Sequence, residues 1–331
     1  MKLIIQIPCF NEAPTLPIAL AALPRRVLGF DQVEWLIVDD GSQDDTVGVA
    51  RACGVDHVVR HSGNLGLARA FTTGLEACLA RGADVIVNTD ADNQYNAADI
   101  PALVRPICDG KADIVVGARP IDEIGHFSAI KKLLQKLGSW VVRTASRTDI
   151  PDTTSGFRAY SRVAAQRLSV FSNYTYTLET IIQAGQGNIA ITSVPIRVNA
   201  DLRPSRLVKS IRSYVTHSIS TIVRIFIIYR PATFFGLLGG ALLSVGVIVG
   251  ARFLYFLATR DGTGHIQSLI LASILIGAGF QTVLVAIIAD LLATNRKLLE
   301  DIRFMMRRLQ TGRDAQSAVE NEKVPLKQVA K

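Results

Sequence analysis

Up to about residue 200, short apolar runs alternate with longer amphipathic stretches. That alternation predicts an α/β domain built on a largely parallel sheet. Strands are expected at Leu3–Ile7, Glu34–Val38, His57–Arg60, Asp84–Asn88 and Asp113–Gly117. Helices are expected at about 14–23, 44–53, 66–81 and 97–109, the last opening behind Asn96 as its cap. Further along, the period changes. From Leu207 to Ile228 the apolar positions Leu207, Ile211, Tyr214, Val215, Ile219, Ile222 and Phe226 recur at helical spacing, with Arg206, Lys209, Arg212 and Arg224 among the rest. This fits an amphipathic helix lying in a membrane interface, or one packed on the soluble domain. No Asp or Glu occurs between Asp201 and Asp261, which favours a lipid surface.

Two runs then lose their polar stripe. No charged residue lies between Arg230 and Arg252, and none from Ile266 to Ala289. Each can cross about 30 Å of hydrocarbon as a helix, which takes roughly 20 residues. Soluble helices normally keep a polar face, so two transmembrane helices are expected, paired within or between chains through small residues such as Gly236-x-x-x-Gly240. Beyond Arg313 the sequence turns polar and predicts a disordered tail.

Composition agrees with a membrane protein: 331 residues, net charge +8 and mean hydropathy +0.29. Basic residues cluster before the first span (Arg203, Arg206, Lys209, Arg212) and after the second (Arg296, Lys297, Arg303, Arg307). That bias places the amino-terminal domain and both termini in the cytoplasm of a multi-pass protein of the cell (inner) membrane. No amino-terminal targeting segment is expected, since Met1-Lys2 leads straight into a strand. The charge sits beside the spans and lacks interleaved aromatics, so anionic lipid headgroups, not nucleic acid, are the expected partner. Cys9, Cys53, Cys78 and Cys108 have no metal-binding spacing and are expected to be reduced packing residues.

The chemistry concentrates where the expected strands end. Asp90-Ala91-Asp92 follows the run Val85-Ile86-Val87. Side chains two apart in an extended segment point the same way, so both carboxylates can address one ion, and hard oxygen ligands select Mg2+ or Mn2+. A diphosphate carried by such an ion is a leaving group, which points to group transfer. Pro8-Cys9-Phe10-Asn11-Glu12 ends the first strand and Val38-Asp39-Asp40-Gly41-Ser42 the second. Ligands bind at that carboxyl edge in open α/β sheets.

In this order and spacing the three motifs resemble the family-2 glycosyltransferases, whose nucleotide-sugar domain has the GT-A fold. The resemblance extends to polyprenyl-phosphate sugar transferases of the dolichyl-phosphate mannose synthase and bacterial polyisoprenyl-phosphate glucosyltransferase type, over roughly residues 1–230. Asn64-Leu65-Gly66-Leu67-Ala68-Arg69-Ala70, Asp152-Thr153-Thr154-Ser155-Gly156-Phe157-Arg158 and Arg203-Pro204-Ser205-Arg206-Leu207 carry it. The last of these departs from the family, which often has Gly before the Ser and Lys after it.

The resemblance implies a GT-A catalytic domain over 1–202, while the hydrophobic pattern sets the amphipathic segment at 203–230, the spans at 231–259 and 266–293, and a cytoplasmic helix with its tail at 294–331. The same resemblance implies that Pro8, Asn11, Glu12, Asp39 and Asp40 line the base and ribose pocket, and that Asp90, Asp92 and Gln94 surround the metal, with Ala91 between them at the nucleotide. Arg203 and Arg206 would neutralise the departing diphosphate. Arg119 falls where the family places an arginine for the acceptor phosphate, and Lys131, Lys132 and Ser139 lie on the following segment, as further anion ligands or as a solvated pair with its neighbour. Glu179 matches an acidic position that orients the sugar or pairs with a buried cation. On this reading Asp92, Arg119, Glu179 and Arg203 are the catalytic set.

A lipid phosphate is already an anion near neutral pH, so no strong general base is needed. The expected reaction is inverting, metal-dependent transfer of a hexose from a nucleoside-diphosphate sugar to undecaprenyl or dolichyl phosphate by a homo-oligomer. UDP-glucose is the favoured donor and GDP-mannose the second. His57, His61 and His126 are expected to serve loops or packing. Two other readings are weaker. Polysaccharide synthases carry a Gln-x-x-Arg-Trp motif that is absent here, and a nucleotide-binding scaffold without turnover would not need Asp39, Asp90, Asp92, Arg119 and Arg203 together.

Overall fold

The computed structural model describes residues 1–120, 142–143, 146–170, 176–200, 220, 223–224, 227–259 and 266–322. Among these residues the chain forms β1 (Lys2–Cys9), α1 (Leu16–Ala22), β2 (Gln32–Asp39), α2 (Thr46–Ala52), β3 (His57–Arg60), α3 (Leu67–Ala80), β4 (Val85–Asn88), a 3-10 turn (Ala97–Asp99) and α4 (Ile100–Cys108). There follow β5 (Ile114–Ala118), β6 (Arg158–Ser161), α5 (Arg162–Arg167), α6 (Thr177–Gln186), β7 (Ile191–Pro195), α7 (Pro231–Thr259) and α8 (Ile266–Glu322). All five strands and four helices expected in the first 118 residues form, within two residues at most ends. The stretch 203–219, where the amphipathic juxtamembrane helix is expected, lies outside the described residues.

The sheet has the order β3-β2-β1-β4-β6-β5-β7. Every neighbouring pair is parallel except β4–β6 and β6–β5, so β6 is the one reversed strand described. Its reversal matters for placement. Asn88 at the end of β4 pairs with Arg158 at the start of β6, and Val116 near the end of β5 pairs with the same residue. The loop entering β6 therefore opens on the edge where β1, β2, β4 and β5 finish.

Central strands buried on both faces need continuous apolar runs, and Leu3–Ile7, Leu36–Val38 and Val85–Val87 supply them. Alternate residues feed two cores. Leu3, Ile5 and Ile7 pack with α1 and α4 on one face, whereas Ile4, Leu36 and Ile86 pack with α3 and α5 on the other. Gln6 interrupts the run, yet it is fully buried and donates to Asn88 Oδ1 at 2.9 Å.

The chain divides into two compact units, Met1–Val215 with Glu300–Lys331, and Thr216–Leu299. In the second unit, α7 and the first part of α8 are long and apolar enough to cross a membrane, each with a window of mean hydropathy 2.2. They meet through glycines: a Cβ on Gly239 would lie 3.0 Å from Gly279 O, and one on Gly246 3.0 Å from Ile276 N. In the first unit, the end of α8 lies against the α/β domain. Arg307 donates to Glu76 Oε1 at 2.7 Å and to Leu168 O at 2.7 Å, and the Arg167 guanidinium stands 5.0 Å from the centre of the Phe304 ring. The tail expected to be disordered beyond Arg313 is helical as far as Glu322, because Ala, Gln, Glu and Arg are good helix formers and no Gly or Pro follows Gly312 until Pro325.

Candidate active site

Three strand ends build one edge. Asp39 closes β2 opposite Cys9 of β1, and its side chain is fully buried. Asp39 Oδ1 accepts from Ser42 N at 3.1 Å, which folds the Asp-Asp-Gly-Ser turn back on its own strand. Asp39 Oδ2 lies 3.1 Å from Arg60 Nε as an ion pair, but the approach is not that of an aligned hydrogen bond, and this buried oxygen has no hydrogen-bond donor among the described residues. A buried acceptor in that state is rare enough to need a reason.

Asn11 and Glu12 tie the first motif to the second. Asn11, at φ +54°, donates its N–H to Ser42 Oγ and accepts from Gln43 N through Oδ1 at 2.8 Å. Glu12 N donates to Thr46 Oγ1 at 3.0 Å, and Glu12 Oε2 accepts from Thr15 Oγ1 at 2.7 Å. Pro8 and Ala91 are buried beside these turns.

Asp40 does different work from Asp39. Its Oδ1 accepts from Leu65 N and faces His61 Nδ1 at 2.8 Å, while its Oδ2 accepts from Gly66 N at 2.9 Å. Both oxygens thus hold the loop 61–66 that opens α3. His61 also reaches Thr73 Oγ1 at 3.0 Å, so it is a link in that scaffold and not an exposed loop residue. The loop presses on Gly41, where φ is +75° and a Cβ would lie 2.5 Å from Gly63 C, so only glycine fits.

Asp90 and Asp92 stand on the turn after β4. Asp92 Oδ1 accepts from Gln94 N at 3.2 Å, and Asn93 turns the chain at φ +57°. Asn199 secures the turn from outside, donating to Asn93 O and to Gln94 O. Asp90 faces Gly156, where a Cβ would come within 3.2 Å of both its carboxylate oxygens and 3.0 Å of Tyr176 Oη. Beneath lies a floor that local sequence did not announce: Asn88 Nδ2 donates to Gly156 O and Tyr176 Oη at 2.8 Å, Tyr95 Oη accepts from Gly156 N at 2.9 Å, and Tyr176 stacks on Phe71 at 3.9 Å. Burial pushes the Asp90 carboxyl up to about 7, the Asp92 carboxylate adds to the rise, and Arg119 opposes it.

Arg119 follows β5 and is gripped from below. Its Nε donates to Asp152 Oδ2 at 2.7 Å, and its Nη2 donates to Asp152 Oδ1 at 3.1 Å and to Thr154 Oγ1 at 2.8 Å. Arg158, in the same stretch, is fully buried and donates to the carbonyls of Ser155, Thr177 and Thr153 and to Thr180 Oγ1. It fastens the loop ahead of β6 to the start of α6. Glu179 lies in the first turn of α6, buried, with Gln183 Nε2 at 3.5 Å from Oε1. Lys131, Lys132, Ser139, Arg203, Arg206 and His126 lie outside the described residues.

Among the described residues no group of three or more His, Cys, Asp or Glu side chains is arranged to hold an ion alone. Two carboxylates one residue apart still fit Mg2+ or Mn2+, which commonly take one or two carboxylates and complete their shell with water and substrate phosphates. Asp90 is raised by burial first and by the Asp92 carboxylate second, so a bound divalent cation would favour its ionised form.

The profile described as "Glycosyl transferase family 2" matches residues 4–169. The undecaprenyl-phosphate mannosyltransferase of Micrococcus luteus is 27% identical over 218 residues, covering 62% of this chain and 88% of that protein. The UDP-N-acetylglucosamine–dolichyl-phosphate N-acetylglucosaminyltransferase of Methanococcus voltae is 27% identical over 212 residues, 58% of this chain and 83% of the relative. Among solved structures, glucosyl-3-phosphoglycerate synthase from Mycobacterium tuberculosis, in complex with Mn2+, UDP-glucose and phosphoglyceric acid, superposes with a TM-score of 0.53 at 21% identity, covering 68% of this chain and 78% of the other.

Proposed function

Since the chain belongs to glycosyl transferase family 2, we propose that it transfers a hexose from a nucleoside-diphosphate sugar to a polyprenyl phosphate at the cytoplasmic face of a membrane that α7 and α8 span. The observation that carries this reading is the pair of acidic turns on one sheet edge: a buried Asp39 oxygen without a hydrogen-bond donor, and Asp90 with Asp92 on the next turn but one. Asp39 Oδ2 is suited to accept from a base N–H or a ribose hydroxyl. Asp90 and Asp92 would hold Mg2+ or Mn2+, whose positive charge stabilises the leaving diphosphate when bound.

The acceptor side fits a phosphate: Asp152 and Thr154 orient Arg119 through Nε and Nη2, and the two N–H groups of Nη1 are the ones that would donate to a phosphate. A phosphate oxygen attacking the anomeric carbon needs no proton removed, so the reaction asks only for charge stabilisation and in-line geometry, and it inverts that carbon. The relatives named for undecaprenyl and dolichyl phosphate favour a polyprenyl carrier, and two apolar helices keep the enzyme where such a lipid resides.

UDP-glucose is the first donor to try, then GDP-mannose and UDP-N-acetylglucosamine. The test presents each labelled donor to membranes containing the protein and one polyprenyl phosphate. Label entering an organic-soluble, mild-acid-labile lipid, lost in chelator and restored by Mn2+ or Mg2+, is the expected result. Nucleotide binding without labelled lipid would overturn the transferase reading, and turnover unchanged in chelator would remove the metal.

A further inference from the structure

Asn199 reaches the acidic turn after β4 from a distant part of the chain. It lies just past the end of β7, on a stretch that runs beside residues 93–99. Val198 pairs with Tyr95 as an antiparallel bridge, Asn96 N donates to Arg197 O at 3.3 Å, and Asn199 N donates to Gln94 O at 2.8 Å. Its side chain goes further. Asn199 Nδ2 donates to Asn93 O at 2.9 Å, with Tyr95 O a longer second acceptor at 3.4 Å.

Asn93 O belongs to the peptide unit whose N–H is that of Gln94, and that N–H donates to Asp92 Oδ1 at 3.2 Å. One planar group therefore accepts from Asn199 on its oxygen and donates to Asp92 from its nitrogen. Rotating this peptide breaks both bonds. The turn leans on such an anchor because Asn93 is left-handed at φ +57°, a strained conformation for an L-residue. A carbonyl that accepts a hydrogen bond also makes the N–H of the same peptide a stronger donor.

The Asn199 amide is not what docks the stretch that carries it. Arg197 does so, with N 2.7 Å from Asp99 Oδ2, Nε 3.0 Å from Oδ1 and Nη2 2.5 Å from Oδ1. The backbone N–H of Asn199 stays whatever its side chain is. What the amide adds is confined to the peptide beside Asp92.

We infer that Asn199 is a positioning residue for the divalent-metal site: through the Asn93–Gln94 peptide it holds the Asp92 carboxylate where it and Asp90 address one ion. The inference rests on the proposed metal site at Asp90 and Asp92. Asp90 faces Gly156, which Asn88 and Tyr95 hold in place. The spacing of the two carboxylates therefore depends on how the Asp92 turn is held. Groups that orient a metal's ligands set its affinity without touching the ion.

The test titrates Mn2+ alone into the full chain in detergent micelles and reads the free ion by electron paramagnetic resonance. Asn199→Leu keeps the side-chain volume and removes its N–H groups, and should raise the Kd for Mn2+ by roughly ten- to a hundredfold. Asn199→Gln, which returns the amide on a longer arm, should recover part of the loss. Arg197→Ala removes an exposed ion pair from the same stretch without touching the turn, and should bind Mn2+ within about twofold of the parent. In transfer assays the Mn2+ concentration for half-maximal rate should rise with the Kd, while kcat at saturating Mn2+ stays within about threefold of the parent. General damage to the domain would instead lower kcat at every Mn2+ concentration. Where Asn199→Leu does not fold, Asn199→Ala carries the same comparison. Mn2+ binding by Asn199→Leu equal to the parent's, or Arg197→Ala weakened as much as Asn199→Leu, would overturn the inference and leave the metal site in place. A parent chain that binds no Mn2+ removes the metal site itself, and the inference with it.

Discussion

Arg119 holds both carboxylate oxygens of Asp152, with Nε 2.7 Å from Oδ2 and Nη2 3.1 Å from Oδ1. The pair joins the end of β5 to the loop before β6, across a connection that leaves and re-enters the sheet at one edge. Burial raises the Asp152 carboxyl, and the Arg119 hydrogen bonds and charge more than offset it, so the group is held below the usual carboxylate range.

A depressed acid contributes stability above its unfolded value, near pH 4, and loses it as pH falls through its folded value. The Asp152 share of the thermal midpoint should accordingly stay level from pH 8 to about 5 and be lost in stronger acid, on top of whatever other carboxyls contribute. Asp152→Asn should flatten that acid limb. Asp152→Ala, which leaves the guanidinium without its anion, should cost on the order of 3 kcal/mol in denaturant unfolding.

Asp39 offers its Oδ2 to a donor that the described residues do not supply. Loss of one hydrogen bond to a charged group weakens binding by about 1.5–3 kcal/mol, or roughly ten- to a hundredfold. Asp39→Asn should raise KM for the nucleotide sugar by that factor with a smaller change in kcat. Initial rates and nucleotide titration read the two separately.

On the proposed function Asp92 serves the leaving-group side. Asp92→Ala should abolish transfer, and Mn2+ should not restore it, while the circular dichroism spectrum and membrane retention stay those of the parent. Turnover near the parent level would remove the metal assignment.

Asp90 carries the opposite sign from Asp152. Its folded value, about 7, lies above the unfolded one near 4, so ionising it in the fold is unfavourable, and that penalty builds above pH 4 and is complete above pH 7. Without divalent ion, Asp90→Asn should therefore melt higher than the parent at pH 8 and close to it at pH 4, while transfer is lost. Equal melting at both pH values would show that the carboxylate is not strained.

The first 118 residues were legible because each strand announces itself by a local apolar run and each acidic motif sits just past one. Two adjacent aspartates show where that reading ends. Nothing local distinguishes Asp39, whose buried Oδ2 has no hydrogen-bond donor among the described residues, from Asp40, whose oxygens hold Leu65, Gly66 and His61. The tyrosines under Asp90 were hidden for the same reason, since Tyr95 and Tyr176 meet Gly156 only after β6 has inserted between β4 and β5. That insertion is itself a long-range pairing of a four-residue strand, Arg158–Ser161, too short to show a period.

Because β6 runs backwards, the chain from Arg119 to Phe157 departs from the sheet and returns to it at adjacent points on a single rim. An excursion of that kind can change its length or content without shifting any strand's register. On the proposed function the acceptor-side Arg119 stands at the root of that excursion, while Asp152 and Gly156 on its return respectively brace Arg119 and face Asp90, so a graft between relatives meant to redirect the acceptor alone would exchange 120–150 and leave 152–158 in place.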